Sequence, residues 1–138
     1  MPEPSLAERA VARYLELINA RKYDEVGSIY AEDAVFLAPT GEEIRGRAAI
    51  TEFYRGGLQK IRPSRVRAST SVAQGNQCVI EITASGISGE GAEKEHTVVD
   101  HFTVNDAGEV TRMAVYLRPA EMASTRKVLE LDDDFDGA

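Results

Sequence analysis

The chain has a single cysteine, only two histidines and no run of 18 apolar residues. A lone Cys78 excludes an intramolecular disulfide and a cysteine-based metal cluster. Set in the apolar run Cys78-Val79-Ile80, it reads as core filler rather than as a nucleophile. Two histidines, His96 and His101, beside a single cysteine make too sparse a ligand set, so no metal site is expected. Without a long apolar run, no membrane span is expected either. Positive charge is also short: 16 Lys and Arg stand against 23 Asp and Glu, and the net charge of −7 would repel nucleic acid. The cluster Lys60, Arg62, Arg65 and Arg67 reads as a solvated strand edge. Phosphate-binding glycine loops, the Gly-x-Ser-x-Gly elbow and the dinucleotide fingerprint are all missing, and no cofactor is expected. The opening Met-Pro-Glu-Pro-Ser lacks the basic-then-apolar order of a signal peptide, so a cytoplasmic location is the expectation.

What is present suffices for one domain. With 138 residues of which 43% are hydrophobic, the chain can bury a core. We expect a folded domain over 1–120 and a mobile acidic tail over 121–138, where Asp132, Asp133, Asp134 and Asp136 repel one another. Ser5 and Glu8 form a capping box that opens a helix, with Leu6, Val11, Tyr14, Leu15 and Ile18 on its inner face. A short helix over 24–30 buries Val26 and Ile29 and has Tyr30 near its end. Ala34-Val35-Phe36-Leu37 is a strand stopped by Pro39 and the Thr40-Gly41 turn. A third helix over 47–58 carries Ile50, Phe53, Tyr54 and Leu58 on one stripe, before Gly56-Gly57 weakens it. Four strands follow, over 65–73, 77–87, 95–104 and 109–117, with turn chemistry at Gly75-Asn76 and Asp106-Ala107-Gly108 and a flexible loop at 88–91. Helices first and an antiparallel meander afterwards predict an α+β fold, with helices on one face of a curved sheet.

Some polar groups fall on faces that should be apolar. In the strand over 95–104, alternation puts His96, Val98, Asp100, Phe102 and Val104 on one face, and Thr97, Val99, His101 and Thr103 on the other. A carboxylate among Val98, Phe102 and Val104 must be paired, hydrogen-bonded or protonated; a plain buried Asp that caps a helix or pairs with an Arg is the alternative. Tyr14, Tyr30 and Tyr54 each lie on an apolar helical face. Singly each is an ordinary core aromatic, but phenols in series polarise one another and can donate a strong hydrogen bond to a ligand oxygen. His96 shares the parity of Asp100 near the strand's open end, where it lines a pocket mouth or is simply half-exposed.

Five stretches stand out: Arg13-Tyr14, Ile29-Tyr30-Ala31-Glu32-Asp33-Ala34, the Pro39-x-Gly41 turn, Arg47-Ala48-Ala49-Ile50-x-Glu52-Phe53-Tyr54, and Asp100-His101-Phe102-x-Val104-Asn105-x-Ala107-Gly108. Together they resemble bacterial Δ5-3-ketosteroid isomerases within the nuclear-transport-factor-2-like and SnoaL-like group. The resemblance runs from about residue 5 to residue 118 and is poor over 59–95. It implies a cone-shaped fold of about three N-terminal helices on a curved, mostly antiparallel sheet. It also implies an apolar pocket for a small hydrophobic ligand, steroid-like or polyketide-like. Tyr14 and Asp100 fall on the family's oxyanion-hole pair, and Tyr30 and Tyr54 on the tyrosines behind it; in such isomerases a second Asp moves the proton. This chain has Ala38 where that base belongs, and a methyl group cannot abstract a proton. The candidate replacements are Glu42 or Glu43 from the adjacent turn and His96 from the pocket mouth, and an ionised Asp100 could itself serve as base, as in SnoaL-like cyclases.

Three functions compete. One is an enolate-stabilising isomerase or cyclase whose pocket is lined by Phe36, Ala38, Phe53, Val98, Phe102 and Met113. The second is a small-ligand-binding protein without turnover, and the third a protein-interaction domain with a filled pocket. A homodimer through the outer sheet face, with Val99 and Val115 on it, is expected from the family and from the prevalence of twofold assemblies.

Overall fold

Local chemistry sets where each element starts and stops. The computed structural model describes residues 3–61, 65–87 and 93–119. Helix α1 (Leu6–Asn19) opens on the expected capping box: the Glu8 N–H donates to Ser5 Oγ at 3.1 Å and the Ser5 N–H donates to Glu8 Oε1 at 2.9 Å. It closes when Arg21 takes φ +59°, which lets the Lys22 N–H reach the Leu17 carbonyl at 2.9 Å and the Arg21 N–H reach Ile18 at 3.0 Å. That pattern satisfies two end carbonyls at the expense of placing a non-glycine residue in the left-handed region. The buried face is Ala7, Ala10, Val11, Tyr14, Leu17 and Ile18. Leu6, expected inside, is 42% exposed, and Leu15 is only half-buried, because the 3.6-residue period brings Leu17 to the core instead.

Next come α2 (Tyr23–Val26), a single 3-10 turn (Gly27–Ile29) and strand β1 (Tyr30–Leu37). Tyr30 therefore starts a strand rather than ending a helix, and β1 begins four residues earlier than the apolar run Ala34–Leu37. A tight turn follows, with the Gly41 N–H donating to the Ala38 carbonyl and the Ala38 N–H to Glu42, both at 2.9 Å. Gly41 occupies φ +92°, a region open to glycine. Strand β2 (Glu43–Arg45) was not foreseen, since three residues with one apolar member show no periodicity. Helix α3 (Arg47–Ile61) runs through Gly56-Gly57 rather than fading there. Arg47 pins its start, donating from Nε to the Tyr30 carbonyl at 2.9 Å and pairing with Glu109 at 3.4 Å.

Strands β3 (Arg65–Gln74), β4 (Gln77–Ile87), β5 (Glu93–Val104) and β6 (Val110–Leu117) form the expected meander, each end within two residues of the sequence reading. The six-stranded sheet has the order β2-β1-β6-β5-β4-β3, antiparallel except where β1 runs parallel to β6. The helices cover one face, giving the α+β cone. Asn19 ties α1 to the far edge: its amide exchanges two hydrogen bonds of 2.7 Å with the backbone of Val66. Cys78 is buried, as its apolar setting implies. No described helix is long and apolar enough to cross a membrane. The 88–91 loop, the acidic tail over 121–138, and Arg62 of the basic cluster lie outside the described residues. Arg67 of that cluster pairs with Glu95 at 3.5 Å.

Candidate functional site

The helix-facing side of the sheet is laid out in rows by strand register. Phe36 on β1 pairs with Met113 on β6, which pairs with Phe102 on β5, opposite Cys78 on β4. All four are buried and form a closed apolar floor. One row further along, Val115 pairs with Asp100, which pairs with Ile80. Asp100 is 2% exposed, the only charged side chain in the described core. The same pairing corrects the position of Val115. Cross-strand partners share a face, so Val115 looks inward with Asp100, while Tyr116, paired with Val99, looks outward. Parity with Met113 already carried that signal, since 113 and 115 alternate together.

Helix α1 brings Tyr14 over this row, and α3 brings Phe53 and Tyr54. Tyr14 packs edge-on against Phe102 at 5.3 Å between centroids and against Tyr54 at 6.1 Å. Tyr54 packs edge-on against Phe36 at 5.5 Å, and Phe53 lies against Phe36 at 5.0 Å. The Tyr30 and Tyr54 hydroxyls are hydrogen-bonded at 2.7 Å. Tyr54 thus touches both of the other phenols, packing edge-on against Tyr14 and hydrogen-bonding Tyr30. Three tyrosines from α1, β1 and α3 form one phenol cluster.

Electrostatics fixes what these groups can donate. Burial pushes the Tyr14 phenol well above its usual range, the nearby Asp100 carboxylate adds to the rise, and the bond from Tyr54 partly offsets it. Burial raises Tyr54 and Tyr30 as well. All three remain protonated donors at any physiological pH. Burial alone raises Asp100 to about 7. No cation is among its causes, and its Oδ1 is buried with no hydrogen-bond partner. Near neutrality its acid and carboxylate forms are therefore both populated, able to donate in one form and accept a proton in the other.

Ala38 lies one residue beyond the last paired position of β1, Leu37 with Ala114, and so falls in the Val115–Asp100 row. It is 7% exposed and, at two strand spacings, about 10 Å from Asp100. Its methyl group meets no replacement from the adjacent turn: Glu42 and Glu43 are both exposed, and Glu43 pairs with Arg45. His96 is on the same face as Asp100 but four residues along β5, with Val98 between them. The inner face is thus fully buried at one end and half-buried at the other. Phe102, Val104, Val110 and Met113 are fully buried, whereas His96, Val98, Ala84, Val115, Phe53 and Leu15 are only half-buried. Leu15, Ala84 and Val115 were not among the sequence-derived lining residues. On the outer face, His101 bonds Gln77 at 2.6 Å.

Comparisons with known proteins agree with this architecture. The SnoaL-like domain model matches residues 11–113. A steroid Δ-isomerase of Nocardioides simplex is 29% identical over 119 residues, covering 84% of this chain and 93% of that protein. The crystal structure of a hypothetical protein with a ketosteroid isomerase-like fold from Catenulispora acidiphila, in complex with trimethylamine, superposes with a TM-score of 0.72. It is 15% identical and covers 84% of this chain and 91% of its own, a likeness of fold.

Proposed function

Because the chain belongs to the SnoaL-like domain family, we propose that it takes a small apolar ketone into the half-buried end of its cone and stabilises the enolate of that ketone. Tyr14 and the protonated form of Asp100 donate to the ketone oxygen, and Tyr54 and Tyr30 support Tyr14 from behind. One observation carries the reading: the Asp100 carboxyl is buried with an unpartnered oxygen on the row beneath a cluster of three protonated phenols. A buried polar atom left unpaired costs on the order of 1–3 kcal/mol, and it is tolerated where a ligand supplies the partner. When a proton leaves the carbon beside the carbonyl, its electron pair moves onto the oxygen. Donors aimed at that oxygen then hold more charge than they did in the ketone. The steroid Δ-isomerase relative makes a Δ5-3-ketosteroid the first substrate to try.

A second reading has its own support. Ala38 supplies no base, and Asp100, raised by burial to about 7, has a carboxylate form accessible near neutral pH. In that form Asp100 takes the proton and Tyr14 alone serves the oxygen, a cyclase-like division of labour. The expected homodimer belongs to the same set of proposals, supported by Val72 and the 54% exposed Tyr116 on the outer face.

The deciding experiment follows enone absorbance from a Δ5-3-ketosteroid with the native chain and with Ala38→Asp. A positioned base is worth about 10²–10⁴-fold, so the variant should exceed its parent by that order. Turnover by the parent at comparable speed would assign the base to Asp100 instead. If neither protein turns over or binds the steroid, the steroid reading fails.

A further inference from the structure

We infer that His96 is a second polar anchor of the same site, holding an oxygen at the far end of an elongated, rigid ligand whose near oxygen is held by Tyr14 and Asp100; the inference rests on the reading above. Among the described residues, three buried side-chain polar atoms lack a hydrogen-bond partner: Tyr23 Oη, Asp100 Oδ1 and His96 Nδ1. Two of the three are on one face of one strand. Four residues of β5 separate them, which at the strand rise is about 13 Å. The wall between these polar ends is apolar: Val98 lies midway on β5, and Val115 stands beside Asp100 on β6, both half-buried.

The neighbour of His96 is small: its partner across β4 is Ala84, so a methyl group is the side chain beside the imidazole. The adjacent Glu95 points to the other face and pairs with Arg67, so that carboxylate is directed away from the ring. A neutral imidazole has one donor nitrogen and one acceptor nitrogen. Nδ1 can therefore donate to a ketone or accept from a hydroxyl, and either would relieve an atom the fold leaves unsatisfied. A single-ring ligand cannot bridge about 13 Å of strand. A fused polycyclic frame with oxygens at opposite ends can, and such ligands should be preferred over frames oxygenated only at the Tyr14 end.

The test is a titration of matched 3-ketosteroids, one bearing a 17-oxygen and one lacking it, against the native chain, His96→Ala and His96→Asn. Native protein should bind the 17-oxygenated member more tightly. His96→Ala should lose about 3- to 10-fold for that member, the worth of one hydrogen bond, and keep its affinity for the 17-deoxy member. His96→Asn, whose amide can stand near the Nδ1 position, should recover part of the preference. Equal loss for both steroids, or no loss for either, overturns the anchor and leaves the proposed function standing. Failure of native protein to bind either steroid overturns both.

Discussion

An aspartic acid stripped of water, with no cation beside it, stores a charge penalty that a change of pH can release. Asp100 is raised from 3.8 to about 7 by burial alone. Between those values the folded chain binds a proton that the unfolded chain has already lost. Stability from this group is therefore complete below about pH 4, falls as pH rises through 7, and then levels off. Each unit is worth about 1.4 kcal/mol, so the native chain should lose about 2–3 kcal/mol through Asp100 between pH 5 and pH 8. Asp100→Asn should flatten that component, giving urea midpoints that diverge from native ones as pH rises. Parallel profiles for the two proteins would mean that the carboxyl is solvated or paired. The variant also separates two chemical roles, because an amide can still donate to a ketone oxygen but cannot take its proton. At this scale the sequence was informative: strand alternation alone placed Asp100 among Val98, Phe102 and Val104, and helical spacing turned Tyr14 and Tyr54 inward. Neither pattern reports distance, so neither could say that Tyr30 and Tyr54 touch or that Oδ1 of Asp100 is unpartnered.

Elements were legible where their period repeated and illegible where it was interrupted. The capping box and the meander have long, regular signatures, and they fold as read. β1 did not show its full length because its first four residues break the alternation, with Tyr30 and Ala31 both buried and Glu32 and Asp33 both exposed. The end of α1 is the sharpest case. Arg21 occupies φ +59° where glycine is the usual residue, and nothing in its side chain announces a left-handed turn. A side chain there costs about 1 kcal/mol relative to glycine. Arg21→Gly should therefore raise the stability of the chain by up to about 1 kcal/mol, visible as a higher urea midpoint with unchanged slope. Arg21→Ala, which keeps a β-carbon, should show no such gain. If alanine stabilises as much as glycine, the benefit comes from removing the arginine charge near Tyr23 and not from the backbone.

At the scale of the molecule, the sheet has a fully buried half and a half-buried one, and the two should differ in how they move. Phe102, Val104, Val110 and Met113 are buried at one end under the helices, while His96, Val98, Ala84 and Val115 remain half-buried at the other. The split follows from β1 joining the sheet beside β6, a parallel pairing between residues 77 to 80 positions apart that no local pattern encodes. Packed apolar rows raise the free energy of local opening, and half-filled ones lower it. Hydrogen exchange of the free chain should therefore be slowest at Phe102–Val104 and Met113 and faster over 95–98, though all belong to one continuous ladder. A saturating phenolic steroid, whose oxygen imitates an enolate, should slow the half-buried end selectively. At a ligand concentration about 100 times its dissociation constant the shift is about 2.7 kcal/mol, or about 100-fold in exchange rate for openings that release the ligand. Protection confined to the outer-face edge at β3, or absent altogether, would place the ligand elsewhere and leave the Tyr14–Asp100 row without a function. Slowing centred on β5 between His96 and Asp100 would tie the half-buried end, the phenol cluster and the unpartnered carboxyl into one site.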